Sequence, residues 1–196
     1  MDLTRFFIGG CDGIERSITR VFGNLTDDQM RVRPGVSLNS LVWLLWHMAR
    51  TEDVAVNLVV AARPQVFDDA WARRMNIAER HMGSGMTADE VAALTARADV
   101  AAVRAYRMAV GARTREVVRV MAAEAWDEML GLADTTRAAV EGAFGPNDDW
   151  IDGVGHRPWQ GLPRGDQLGG TTIRHNAAHI GEAVTIRSLG GFGLGI

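Results

Sequence analysis

Apolar positions recur at helical spacing through most of the chain, and no stretch shows the strict alternation of a strand. The first predicted helix runs from Asp2 to Gly23, with Phe6, Phe7, Cys11, Ile14, Ile18, Val21 and Phe22 on its apolar stripe. A turn from Asp27 to Gly35 follows. A second helix, capped by Ser37 or Asn39, is predicted to run to Ala62 and to stop before Pro64. Leu38, Leu41, Val42, Trp43, Leu44, Leu45, Trp46 and Met48 make its first half apolar on every side, which places it at the centre of a bundle. Thr87 to Glu90 has the form of a capping box and opens a short helix to Ala96. A long helix over Val100 to Ala122, a short one over Asp134 to Ala143 and a last one over Thr171 to Leu189 complete the set. A long irregular loop rich in Gly, Pro and Asp, Gly145 to Gly170, precedes the last helix. The fold class expected is all-α: a four-helix bundle with short extra helices, as one domain over residues 1–196.

Polar residues interrupt the apolar pattern at one place. On the last helix, alternating steps of three and four residues put Thr172, His175, His179, Glu182, Ile186 and Leu189 on one seam. Its apolar end faces the core, so two histidines and a carboxylate stand where leucines are expected. His175 and His179, four apart in His-Asn-Ala-Ala-His, stack one turn above each other, a spacing that lets two imidazoles reach one metal ion. Two hydrogen-bonded core histidines are the competing reading. Asn176 stands where a zinc peptidase of the HExxH type carries its glutamate, which argues against peptide hydrolysis. His47 lies in the most apolar run of the chain. Three histidines on two central helices match a catalytic site with an open position, zinc first, with nickel, iron and manganese as other fits.

Around them, Glu182 is a candidate catalytic residue: a fourth ligand, a support that fixes an imidazole tautomer, or a proton shuttle. An ion pair with a bundle arginine is its alternative. Arg50, three residues after His47, and Trp43, four before it, are the candidate cosubstrate contacts, with a surface salt bridge the bland use of Arg50. Glu52 and Asp53 point away from His47 and are expected to be structural. His81 and His156 fall in loops and are excluded as ligands. Cys11 is expected to be a small buried hydrophobe. Trp71, Trp150 and Trp159 either wall a pocket or pack under loops.

Composition narrows the chemistry further. The 196 residues are 47% hydrophobic and 23% charged, the balance of a globular chain. A net charge of −3 argues against nucleic acid as a partner. All 21 basic residues are arginine, which reads as GC-rich coding and excludes Schiff-base and P-loop lysines. A single cysteine excludes an internal disulfide and a cysteine metal cluster. The N-terminal stretch has no signal-peptide pattern, and the longest apolar run, Leu41 to Trp46, is too short to span a bilayer. A cytoplasmic protein without membrane contact is expected.

The turn Arg33-Pro34-Gly35, the run from Ser40 through His47 to Asp53, the segment Gly83 to Thr87 and the final His175-Asn-Ala-Ala-His179-Ile-Gly-Glu182 resemble, in that order, the DinB superfamily. The resemblance implies a four-helix bundle in which His47, His175 and His179 bind a divalent metal. It also implies a kinship with S-transferases and isomerases that use low-molecular-weight thiols such as mycothiol or bacillithiol. The expected function is therefore metal-dependent transfer of a mycothiol-like thiol to a small electrophile. One alternative is a hydrolase or isomerase using metal-bound water with Glu182 as shuttle. Another is a non-catalytic bundle that binds metal or ligand in a stress response. The glycine-rich end, Leu189 to Ile196, is either a homodimer contact or a tail folded onto the bundle.

Overall fold

The computed structural model describes residues 2–145 and 159–195. Trp150, His156 and half of the expected long loop, residues 146–158, lie outside the described residues. Helix α1, Leu3–Phe22, starts at Asp2, whose side chain accepts from the amide of Arg5 at 3.0 Å. The segment expected to be a plain turn contains a short helix, α2, Asp27–Arg31, closed by a reciprocal capping box between Thr26 and Gln29. Helix α3, Leu41–Asp53, begins at Ser40 rather than at Ser37 or Asn39. The Ser40 hydroxyl caps Trp43 N and also meets Thr95 Oγ1 at 2.7 Å.

α3 does not end at Asp53 but widens into a π-helical segment, Val54–Val60. Then come α4, Asp69–Met75; α5, Ala88–Arg97, opened by the Thr87–Glu90 box; and α6, Val100–Val120. A 3-10 turn, Ala123–Trp126, leads to α7, Leu132–Val140. The last helical stretch starts earlier than its periodicity suggests. α8, Arg164–Leu168, runs through a second π segment, Gly169–His175, into α9, Asn176–Leu189. The residue that precedes α8 is Pro163, which offers no capping side chain and reads in the sequence as part of a loop, so the early start leaves no signal.

α3 packs on α6 and α9, and α1 packs on the same two helices, so α1 and α3 occupy opposite corners of the bundle. Trp46, Leu41, Leu44, Leu45 and Met48 of α3 fill the centre against Val103, Tyr106 and Val110 of α6 and Ala183 and Ile186 of α9. Every residue of α3 is buried, as its all-round apolar pattern predicts.

Charged side chains inside this core are paired rather than exposed. The Glu52 carboxylate accepts from Arg107 Nη1 at 2.6 Å, Thr114 Oγ1 at 2.7 Å and Asn176 Nδ2 at 2.8 Å. Arg107 also pairs with Glu15 at 3.1 Å, so one buried carboxylate connects all four long helices. Asp53 accepts from Tyr106 Oη at 2.6 Å, Asn57 Nδ2 at 2.7 Å and the amides of Val66 and Phe67, both at 2.8 Å. Glu52 and Asp53 are structural, as their spacing from His47 suggests. The glycine-rich tail folds back on the bundle. Buried Arg187 donates to the carbonyls of Gly193 and Phe192 in the tail, and to Val21 O and Asn24 Oδ1 at the end of α1. Among the described residues, no helix is long and apolar enough to cross a membrane.

Candidate metal centre

His47 stands in the middle of α3, His175 closes the second π segment and His179 sits one turn into α9. The bundle brings the three together. One ligand nitrogen from each lies within 4.8 Å of the others, and their ring centroids are 4.5 to 5.0 Å apart.

Hydrogen bonds on the far side of two rings fix which nitrogen faces inward. A backbone carbonyl can only accept, so the 2.6 Å contact between His47 Nδ1 and Met82 O makes Nδ1 the donor and leaves the lone pair on Nε2. The Glu182 carboxylate, 2.9 Å from His179 Nδ1, does the same for His179. Asn39 Nδ2 holds the other Glu182 oxygen at 2.9 Å. The hydrogen bond from His179, working against partial burial, holds the Glu182 carboxyl below its usual range, with Asn39 assisting. His47 Nε2 and His175 Nε2 are 3.2 Å apart, close enough to share a hydrogen bond in the metal-free chain. Two nitrogens each ~2.05 Å from one tetrahedral ion would lie roughly 3.3 Å apart, so this spacing fits a zinc-sized ion.

Electrostatics favour the neutral, metal-ready state. Burial, followed by charge repulsion from the other two imidazoles, pushes the His47 pKa down from 6.5 to about 3. Burial and His179 bring His175 to about 4. At neutral pH both rings are therefore uncharged, and each has one nitrogen lone pair to offer.

The remaining candidates sort differently from expectation. Trp43 is at the site, but it lies flat against His47, with centroids 4.8 Å apart and planes 12° from parallel. Its indole donates to Met86 Sδ, and it is buried. It supports the ring and leaves little surface for a cosubstrate. Arg50 is not at the site mouth, nor is it a surface ion pair. Its side chain is fully buried over the Phe67 ring and donates to Gln65, Tyr106, Asp53 and the carbonyl of Arg80. The spacing from His47 is the same; the partners come from elsewhere in the chain. Glu182 touches His179 at Nδ1, on the side of the ring away from Nε2.

His81 lies in a loop outside the histidine cluster, its Nδ1 accepting from Gly83 N at 3.1 Å. Cys11 is buried, and desolvation first, with Glu52 next, pushes its thiol up to about 11. Trp71 is half-buried and packs on the edge of the core against Tyr106. Trp159 walls a small cavity that shares His175 with the cluster. A larger groove of about 1100 Å³, lined by Leu58, Phe67 and Leu132 among others, includes none of the three histidines. Sequence reasoning missed Met82 and Asn39. Any residue supplies a carbonyl, so Met82 left no signal, and Asn39 reads only as a cap.

The family model for the DinB superfamily matches residues 13–183, and the chain belongs to that superfamily. No curated protein matches it. A crystal structure of a conserved protein from Enterococcus faecalis aligns over 96% of this chain and 97% of its own at 18% identity, with a TM-score of 0.71. That likeness shows the shared helical-bundle fold.

Proposed function

We propose that this DinB-superfamily chain is a divalent-metal-dependent transferase that joins a low-molecular-weight thiol, mycothiol first, to a small electrophile. The observation that carries the proposal is the convergence of three imidazole nitrogens, two of them fixed as Nε2 lone pairs by Met82 O and Glu182. His47, His175 and His179 would hold the ion, zinc first, with nickel, iron and manganese also suited to imidazole. A divalent ion so held supplies the acidity that turns a coordinated thiol into a thiolate at neutral pH.

The chain's own groups do the positioning. Trp43 and the Met82 carbonyl hold His47 from two sides. Glu182, itself oriented by Asn39, holds His179. The chain's own thiol is buried and kept protonated, so the reacting thiol is supplied from outside. Both Glu182 oxygens are engaged on the Nδ1 side of His179, which disfavours it as the proton shuttle a hydrolase would need.

Metal content of untagged protein, compared with His175→Ala and His179→Ala, tests the site. Near-stoichiometric metal in the wild type, lost in both variants, supports it and directs a conjugation screen with mycothiol and bacillithiol. A wild type that takes up no zinc, nickel, iron or manganese on reconstitution overturns the reading. Turnover without added thiol would redirect it to hydrolysis or isomerisation.

A further inference from the structure

The cavity that shares His175 with the cluster has a volume of about 230 Å³ and an apolar wall of Met82, Trp159 and Leu162. Two of its lining residues carry a buried polar atom with no hydrogen-bond partner: Thr51 Oγ1 and His175 Nδ1. A buried polar group left unpaired is costly, because it has given up its water without replacement. Thr51 had a local remedy, because a helical threonine readily bonds the carbonyl four residues back. Thr172 and Thr185 do this here, on Leu168 O at 2.7 Å and Gly181 O at 3.2 Å. Thr51, only 7% exposed, does not. It lies one turn after His47 and so on the same face of α3.

Charge at the cavity supplies the third feature. Arg174 lines it, is exposed and makes no ion pair among the described residues. A methyl group on Gly170 would sit 3.0 Å from Arg174 Nη2, so the guanidinium lies over the bare α-carbon of a second lining residue. A free guanidinium is the natural bidentate partner of a carboxylate. Asp166, the other charged lining residue, is also exposed and unpaired among the described residues, and it opposes a second negative charge.

We propose that this cavity binds a small apolar monocarboxylate, with Arg174 on the carboxylate and Thr51 Oγ1 and His175 Nδ1 hydrogen-bonding inside. That this ligand is the electrophilic substrate rests on the transferase reading; the binding site itself rests on the cavity.

A ligand-detected NMR titration tests it with three probes: trans-cinnamate, its neutral amide cinnamamide, and the dicarboxylate phenylsuccinate. The proteins are wild type, Arg174→Gln and Thr51→Val, with metal content read on the same samples. Cinnamate is expected to bind the wild type at least about tenfold more tightly than the other two, the size of one charge-assisted hydrogen bond. Arg174→Gln should bring cinnamate to the level of the amide while the amide itself is unchanged. Thr51→Val should weaken both. Arg174 is exposed, so its replacement leaves the core untouched and the test does not depend on Thr51→Val folding. Equal binding of acid and amide by the wild type, cinnamate binding that survives Arg174→Gln, or no cinnamate binding overturns the inference. Full metal content with no carboxylate preference overturns it alone. Carboxylate preference in a protein that takes up no metal overturns the transferase reading alone.

Discussion

Glu182 and His179 lie three residues apart on one helix, and their hydrogen bond decides which imidazole nitrogen is left for a ligand. Groups that orient a metal-bound histidine are typically worth about 10–100-fold in metal affinity. Glu182→Ala should therefore loosen the ion by about that factor in a chelator competition, with an unchanged thermal melt of the metal-free protein. A second residue-scale prediction concerns acid. The His47 pKa is about 3 in the folded metal-free protein against 6.5 for an ordinary histidine, so as pH falls the unfolded chain takes up a proton first. The contribution to stability is complete above 6.5 and falls as pH drops from there toward 3. Urea midpoints of the metal-free protein at a series of pH values check this, and an unchanged midpoint between pH 7.5 and 5 would refute it. At this scale the three histidines were legible because polar residues on an apolar seam stand out. The place of Arg50 is not legible because its partners Tyr106, Gln65 and Arg80 lie 56, 15 and 30 residues away.

The capping box at Thr87 marks a helix start in the sequence, and periodicity alone places the starts near Asp2 and Val100, where Asp2 and Asp99 supply the caps; the cap at Ser40 is hidden among neighbouring Ser37 and Asn39. The box at Thr26 has the same form and was passed over because the helix it opens is only five residues long. Two π segments left no trace in a pattern searched at 3.6 residues per turn, since no residue type marks a wider turn. The loop between α4 and α5 matters to the site through Gly83, which follows the carbonyl that holds His47. Gly83 has φ of +95°, and a methyl group there would lie 2.6 Å from the Trp46 ring. Gly83→Ala is expected to lower the melting temperature and, by moving Met82 O, to weaken metal retention. Calorimetry and metal analysis on one preparation would separate the two effects. A variant as stable and as metal-loaded as the wild type would show that the loop adjusts.

Across the whole molecule, the bundle was legible because each long helix carries its own apolar stripe. The polar node at Glu52 was not, because its partners Arg107, Thr114 and Asn176 come from two other helices. Glu52→Leu would leave the Arg107 guanidinium buried with only Glu15, and breaking a buried pair in this way costs about 3–5 kcal/mol. Denaturant unfolding should show a loss of that order, whereas an effect below about 1 kcal/mol would mean that Glu15 suffices. The wide separation of the histidines has a bearing on biosynthesis. His47 and His175 are 128 positions apart, so a nascent chain emerging from the ribosome presents one histidine of the proposed site long before the other two. Capture of an ion by the proposed site would then wait for α9 to dock on α3, so a loaded site would report that these two distant helices have come together.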